Sequence, residues 1–362
     1  MRRLRAPGLI IALLAALAVS ACSRAERAPE PAAPASAAAT PAAELRLGYF
    51  PNVTHASAIL GVEQGLFSKE LGSTTLTTQT FNAGGDAVNA LLGGSLDATV
   101  IGSGPAINAF AKSDGQAVRL IAGATAGGAQ LVVKPEITSP AQLKGKTLAT
   151  PQKGNTQDIA LKKWLGENGL TAGDGPDDVK IANLDNPRTL DAFKQGTVDG
   201  GWLPEPWSSR LVLDAGASVL LDEATLWPNG KFPTTVLVVR TDYLQQYPDT
   251  VRALLRGHLK SVEAITADPA QAKTVVNQGL QKLTGNELAG PVIDRAFQNI
   301  TLDPDPLAAT FPQLAQDSTT AGVTDKVTDL AGFLDVTPLN AELQAEGKPP
   351  VDAAGLDRPG NS

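Results

Sequence analysis

The stretch Val198–Arg210, VDGGWLPEPWSSR, sets one carboxylate, Glu205, between two prolines and between Trp202 and Trp207, half of the four tryptophans in the chain. Pro204 and Pro206 fix the backbone on either side, and rigid aromatics around a single charge are the makings of a pocket wall. The same residues also suit a core tryptophan that runs into a Pro-started helix. Catalytic patterns are missing by comparison. There is no Walker sequence, GSGPA is not GxGxxG, and no GxSxG precedes a helix. The two histidines cannot form a three-histidine metal site, and His55 has no serine or cysteine nucleophile at a recognisable distance. These residues point to a binder that turns nothing over and needs neither a metal nor a cofactor.

The elements that must position such residues are visible from Leu45 onward. LRLGYF precedes ASAILGVEQGLF, LTTQTF precedes DAVNALLGG, ATVIG precedes PAINAFAKS, and VRLIAG follows. Strands separated by helices of this kind predict parallel sheets covered on both faces. GSLDA (Gly94–Ala98) recurs as GTVDG (Gly196–Gly200) at a shift of 102 positions, with Ala90 matching Ala192 and Leu91 matching Phe193. We read this as two α/β lobes on one plan. AQLVVKPEI and FPTTVLVVRTDYL are strand-like runs at the edges of the second set and predict two crossovers between the lobes. The resulting division is residues 44–133 with 234–350 for lobe one and 134–233 for lobe two. In the helical pattern after Pro248, Val251, Leu254, Leu255, Leu259, Val262 and Ile265 make one apolar face, with His258 at its edge.

In open parallel sheets the ligand lies beyond the C-terminal ends of the strands, where loops enter helix N-termini. Those loops are PNVTHAS, NAGGD, GSGPA and ATAGGA in lobe one, and TPQKGNT, LDNPR and LPEPW in lobe two. They supply Asn52, Thr54, His55, Gly84, Gly85, Ser103, Gly128, Asn155 and Thr156 as candidate ligand-binding residues, beside Trp202, Glu205 and Trp207. Gly, Ser, Thr and Asn cap helices for ordinary reasons. Their presence at every strand end of both lobes adds a second meaning, because free N–H groups at helix N-termini bind anions without net positive charge. Lys153 and Arg188 are the cations nearest to these loops.

Residues 1–21 carry Arg2, Arg3 and Arg5, an apolar run from Leu9 to Val19, and small residues before Cys22, the pattern of a secretory signal too short to span a membrane. Cys22 is the only cysteine, so no internal disulfide can form. VSAC resembles a lipobox, in which Cys22 becomes the lipid-bearing first residue and anchors the protein to a membrane. Residues 22–43, rich in Pro and Ala, read as an extended tether. Removing the three signal arginines leaves 27 basic against 37 acidic residues, a net of −10, which argues against a nucleic-acid partner.

The segments LRLGYFPNVTHASAILGVEQGLF, TFNAGGDAVNALLGGSLDATVIGSGPAINAFAKS, TPQKGNTQDIALKKWL and DGGWLPEPWSSRLV resemble the solute-binding lipoproteins of ABC importers of the sulfonate/nitrate/taurine group, in order from Leu45 to about Ser261. The resemblance implies a type II periplasmic-binding fold: two α/β lobes, two hinge crossovers, and a ligand closed between them. It implies a monomeric binder on the outer face of the cell membrane, with ABC permease subunits as partners. The PEPW turn would lie on the lobe-two side of the cleft, with Trp202 and Trp207 as apolar walls and Glu205 as a fixed charge that welcomes an ammonium group and repels a bare anion. Asn52, Thr54, His55 and the two glycine loops would face it and hold the polar head. Group members bind nitrate, bicarbonate, alkanesulfonates, taurine or pyrimidines, and relatives of the fold make a thiamine pyrimidine as enzymes. An aliphatic sulfonate fits this set best, since nitrate has nothing for two indoles to touch.

Overall fold

The computed structural model describes residues 40–358. The signal, lipidation and most of the tether readings fall on residues 1–39 and lie outside the described residues. Eleven strands are seen among the described residues: β1 (Glu44–Tyr49), β2 (Thr75–Thr80), β3 (Ala98–Gly102), β4 (Val118–Gly127), β5 (Ala129–Val133), β6 (Thr147–Thr150), β7 (Lys180–Asn183), β8 (Gly200–Pro204), β9 (Ser218–Asp222), β10 (Pro233–Arg240) and β11 (Ile300–Leu302). They form two sheets, β11-β4-β10-β3-β1-β2 and β7-β6-β8-β5-β9. From β2 to β4 the first has the same order and strand directions as the second from β7 to β9: three parallel strands, then one antiparallel, then another reversal.

The antiparallel strand of each sheet is the one that has just crossed from the other. β4 passes into β5 through Gly127 and Gly128, both at positive φ (73° and 74°), where a Cβ would be strained. The return runs through residues 223–232 into β10. β5 pairs with β8 and β9, so residues 129–133 belong to the second sheet, and the first boundary falls at the glycine pair, before the expected position 133. The ordered body also exceeds the expected limits at both ends. Ala42, read as tether, is buried, and its N–H donates to Thr250 Oγ1 at 3.0 Å. Near the C-terminus Val351 exchanges hydrogen bonds with the Asn340 side chain and Ala353 is buried, so the chain beyond 350 is folded against lobe one.

The repeat seen in the sequence has a physical job. Gly94 and Gly196 end their helices in the left-handed region (φ 76° and 75°), and the aspartate three residues on then closes a ring on the central strand of the three parallel ones in its sheet. Asp97 N–H donates to Arg46 O at 2.9 Å while its carboxylate accepts from Arg46 N at 2.9 Å; Asp199 does the same with Thr147 O and N at 2.7 and 2.9 Å. Arg46 and Lys134 supply the countercharges.

Both faces of both sheets are covered by apolar clusters. On the first sheet Leu45, Leu47 and Val100 meet the helix Pro248–Ala267, and Val236, Val238 and Phe110 meet Phe311 and Phe333 on the other face. The predicted face Val251, Leu254, Leu255, Leu259, Val262, Ile265 is buried throughout. His258 is inside that core, more deeply than the expected edge position. Its Nε2 lies 2.8 Å from Gly123 O, and burial pushes its pKa down to about 4. None of the described helices is long and apolar enough to cross a membrane.

Candidate functional site

The strand C-termini of the two sheets face each other across one narrow cleft. Phe50, Asn52, Thr54 and His55 enter it after β1, Asn82 to Gly84 after β2, Gly102 and Pro105 after β3; from the other lobe come Pro151 and Asn155–Gln157 after β6, Asn186 after β7 and Pro204 at the end of β8. Four helices begin here: Gly84–Leu92, Ser103–Lys112, Thr156–Glu167 and Asn186–Lys194. In none of them does the residue before the first turn cap its own helix with a side chain. Their first-turn N–H groups and the positive ends of their dipoles therefore point into one space. Two of these N–H groups are met across the cleft: Gly104 N donates to Thr156 Oγ1 at 3.1 Å and Gly85 N to Gln152 Oε1 at 3.2 Å. The lobes are thus closed on each other, and the free space between them is about 30 Å³, room for two or so water-sized groups.

Two side chains on the lobe-one wall have their orientation fixed from behind. His55 stacks on Phe50 with ring centroids 4.6 Å apart, and its Nδ1 accepts from Phe50 N–H at 3.3 Å. Full burial pushes its pKa down to about 3, so the ring is neutral and its proton sits on Nε2. Asn52 Oδ1 accepts from the Trp207 indole N–H at 2.8 Å. Thr54 is pinned through its carbonyl, which accepts from both Thr125 and Thr235 hydroxyls at 2.7 and 2.8 Å. No Lys, Arg, Asp or Glu lines the cleft among the described residues. Asn186 Oδ1, in the lining, is buried without a partner, and so is Ser103 Oγ at the start of one of the four helices. Such groups are costly unless something binds them.

A second cavity of about 330 Å³ adjoins the first and shares Asn52, Asn82 and Asn186 with it. Its walls are mixed: Trp207, Leu280, Leu283 and Leu288 supply apolar surface, and Arg210, Asp214 and Glu287 line it together with several Asn and Thr side chains. The Arg210 guanidinium lies 4.8 Å over the Trp207 ring.

Of the twelve expected residues, Asn52, Thr54, His55, Gly84, Asn155 and Thr156 come together in the cleft, whereas Ser103 is fully buried and is not part of its lining. Gly85 is on the exposed rim beside Gln152. Four need correction. Trp202 is a core residue: strand period 2 turns it into the cluster with Leu131, Leu148 and Trp164, opposite to Leu203, and its indole N–H donates to Glu223 at 2.7 Å. Burial raises that Glu223 carboxyl to about pKa 8. Glu205 is buried but turned toward the hinge, where it accepts from Arg295 Nη1 at 3.2 Å, Asn299 Nδ2 at 2.6 Å and Ser209 N at 3.2 Å; it offers no charge to the cleft. Gly128 is a hinge residue whose carbonyl accepts from Glu205 N. Trp207 faces the second cavity and the Asn52 amide, one layer behind the first. Lys153 and Arg188 are exposed and outside the lining.

Sequence reading missed Asn82, Gln157, Asn186, Thr234 and Thr235. Asn186 lay in a loop already marked, and the N-P pair that opens its helix was the available signal. Thr234 and Thr235 come from the start of β10, a crossover strand, which has no loop signature. No group of three or more His, Cys, Asp or Glu is set to hold a metal among the described residues.

Residues 38–278 match the NMT1-like family, which is two thirds of the sequence. The chain belongs to the NMT1-like family. Within that family's wider circle, the taurine-binding periplasmic protein of Escherichia coli K12 is 30% identical over 206 residues, 56% of this chain and 61% of the relative. The chain thus spans less than two thirds of that curated relative's length. Two solved structures show the same fold. The alkanesulfonate-binding protein SsuA of Xanthomonas axonopodis pv. citri, bound to MOPS, has a TM-score of 0.66 at 22% identity and covers 83% of this chain and 98% of its own. The periplasmic nitrate-binding protein NrtA of Synechocystis PCC 6803 has a TM-score of 0.69 at 18% identity, with 84% and 89% covered. The NMT1-like chain is therefore a two-lobed α/β protein of the periplasmic-binding kind, as its two matching sheets and paired crossovers already required.

Proposed function

We propose that this protein is the extracytoplasmic solute-binding component of an ABC importer, which captures a small organic anion between its lobes and delivers it to a membrane permease. The observation that carries this reading is the convergence of four helix N-termini, none capped by its own preceding side chain, on one closed cleft. Such an array attracts an anion through backbone dipoles alone. An aliphatic sulfonate is the ligand of choice. Its oxyanion head suits the helix N-termini around the narrow cleft, which the lobes would have to open slightly to admit, and its body can extend toward the adjoining 330 Å³ cavity beside Trp207, Leu280 and Leu288. Nitrate would fill the head space alone and leave that cavity unused. The names of similar proteins, taurine-binding, alkanesulfonate-binding and nitrate-binding, support the anion class.

A taurine-like zwitterion would have to find a carboxylate outside the cleft, and the second cavity is lined by two, Glu287 and the Arg210-paired Asp214. The Nδ1 of His55 is spent on Phe50 N–H and meets no carboxylate, so the imidazole is set as a donor and not as a general base, which favours capture over catalysis. Attachment to the membrane through a lipidated Cys22 completes the reading. Cys22→Ala is expected to release a soluble protein or leave an unprocessed precursor, and mass spectrometry of the mature N-terminus tests it.

The function is tested by calorimetric titration of the delipidated protein with methanesulfonate, longer alkanesulfonates, taurine, nitrate and a pyrimidine. The reading expects sulfonates to bind most tightly, with the ligand recovered unchanged. Binding of the pyrimidine alone, or turnover of any ligand, would overturn it.

A further inference from the structure

Capture of an anion leaves one buried carboxylate beside the cleft unused. Asp158 is fully buried in the first turn of the helix Thr156–Glu167, one of the four whose N-termini converge on the cleft. Of the other three, the helix Gly84–Leu92 carries the exposed Asp86 in its first turn and the remaining two carry no acid there. Asn155, Thr156 and Gln157, the residues just before Asp158, line the cleft, and Asp158 itself does not. An acid at this position draws on the positive helix end from within, and so opposes an anion that approaches the same end from the cleft.

Both oxygens of Asp158 are occupied. Oδ2 accepts from Gly154 N–H at 2.8 Å and from Lys162 Nζ at 2.7 Å; Oδ1 accepts from Thr150 Oγ1 at 3.1 Å and from Asn183 Nδ2 at 3.0 Å. Three of these donors are neutral and brace the loop that leads into the helix. Lys162, one turn further on with its side chain 18% exposed, is the one that cancels the charge. The neighbouring Lys163 faces Glu167 and Asp317 instead, and Lys153 is exposed. Brace and charge are separable. A carboxamide at position 158 offers its oxygen to Gly154 and Lys162 and its nitrogen to Thr150 Oγ1, while the exposed Asn183 is free to turn its own amide. Only the carboxylate needs the lysine.

We propose that Asp158 and Lys162 set the anion affinity of the cleft from behind: the carboxylate lowers it, and the ammonium group restores it by neutralising the carboxylate. This rests on the reading of the cleft as an anion site. At a separation on the order of 8 Å and an effective dielectric constant of about 20, one unit charge changes the affinity for an anion roughly thirtyfold. Lys162 stands farther off and partly in water, so it offsets less than Asp158 imposes.

The test is calorimetric titration of the wild type, Asp158→Asn, Lys162→Met, Lys162→Arg and the double variant Asp158→Asn/Lys162→Met with methanesulfonate and with nitrate. Asp158→Asn should bind about tenfold more tightly and Lys162→Met about fivefold more weakly, Lys162→Arg should stay within about twofold of the wild type, and the double variant should fall between the first two. A charge acts through distance, so the tetrahedral and the planar anion should shift in the same direction in each variant. Unchanged or weaker binding by Asp158→Asn would mean that Asp158 serves the loop alone and would overturn the proposal, as would opposite shifts for the two anions. If Lys162→Met does not fold, the sign of the change in Asp158→Asn still decides. A wild type that binds methanesulfonate with variants that break this order refutes the inference and leaves the anion site standing, whereas a wild type that binds neither anion removes the site itself.

Discussion

Glu205→Gln separates the arrangement at the hinge from the one that the PEPW stretch alone suggests. Glu205 is fully buried, and its two oxygens accept from Arg295, Asn299 and Ser209 N, with Arg295 reaching it from the helix Gly290–Gln298 of the other lobe. Removing one charge of a buried pair costs about 3–5 kcal/mol when the partner is left unpaired. Here Arg295 keeps Gln130 Oε1 at 2.7 Å and Ser209 Oγ at 2.8 Å and is about one fifth exposed, so screening and residual bonds reduce the loss to roughly 2 kcal/mol. For a body of this size, that corresponds to a fall in Tm of about 4 °C. Because Glu205 is anchored to Gly128 O beside the hinge, where rotation moves atoms least, affinity for a small anion should stay within about threefold of the wild type. Thermal unfolding and calorimetric titration of the same preparation decide it. An unchanged Tm with a tenfold loss of affinity would place the carboxylate at the ligand and refute the reasoning.

Three further outcomes are expected. In Gly104→Ala the new Cβ would stand 3.1 Å from Thr156 N across the cleft, so the lobes should close less fully; we expect about tenfold weaker anion binding with an unchanged unfolding midpoint, and small-angle scattering with saturating anion should show a more open envelope than the wild type. His55 and His258, with folded pKa values of about 3 and 4 against about 6.5 unfolded, contribute stability that is present above pH 6.5 and lost on acidification, whereas Glu223, raised to about 8, destabilises increasingly as pH rises from 4.5; the two oppose each other between pH 5.5 and 7.5, so Glu223→Gln should lose about 2–3 kcal/mol over that drop in urea titrations while the wild type stays nearly flat, and anion affinity should not change between pH 6 and 8. Asp97→Ala should destabilise by about 3 kcal/mol, against about 1–2 for Asp199→Ala, because Asp97 is 3% exposed between two arginines whereas Asp199 is 19% exposed and pairs with one lysine; equal losses would contradict that ranking.

The frame was legible because it follows from patterns local in sequence. Strand and helix periods gave both sheets, and the recurring Gly and Asp at 94/97 and 196/199 mark one ring closure used twice. Half of the twelve expected residues, all from loops after strands, line the cleft for the same reason: in a parallel sheet, position along the strand fixes which end faces the ligand. The PEPW stretch misled on Trp202, Glu205 and Trp207, the first two for opposite reasons. Trp202 lies mid-strand, and alternation along GGWLP turns it into the sheet's core, a signal present in the sequence. Glu205 is claimed by Arg295, ninety residues later on another lobe, and no local pattern shows a partner at that distance. The hinge, expected near 133, falls at the adjacent glycines 127 and 128, because β5, read as the crossover itself, pairs with β8 and β9 and belongs wholly to the second sheet.

The central claim is that an oxyanion head sits among the four helix N-termini. A crystal structure of the protein with methanesulfonate, with the sulfur located by its anomalous signal, tests it most directly. The account predicts sulfur between His55, Gly84 and Thr156, with oxygen atoms about 3 Å from His55 Nε2 and Asn52 Nδ2. Sulfur found only in the second cavity beyond Trp207, or at no fixed position although binding is measured in solution, would contradict it.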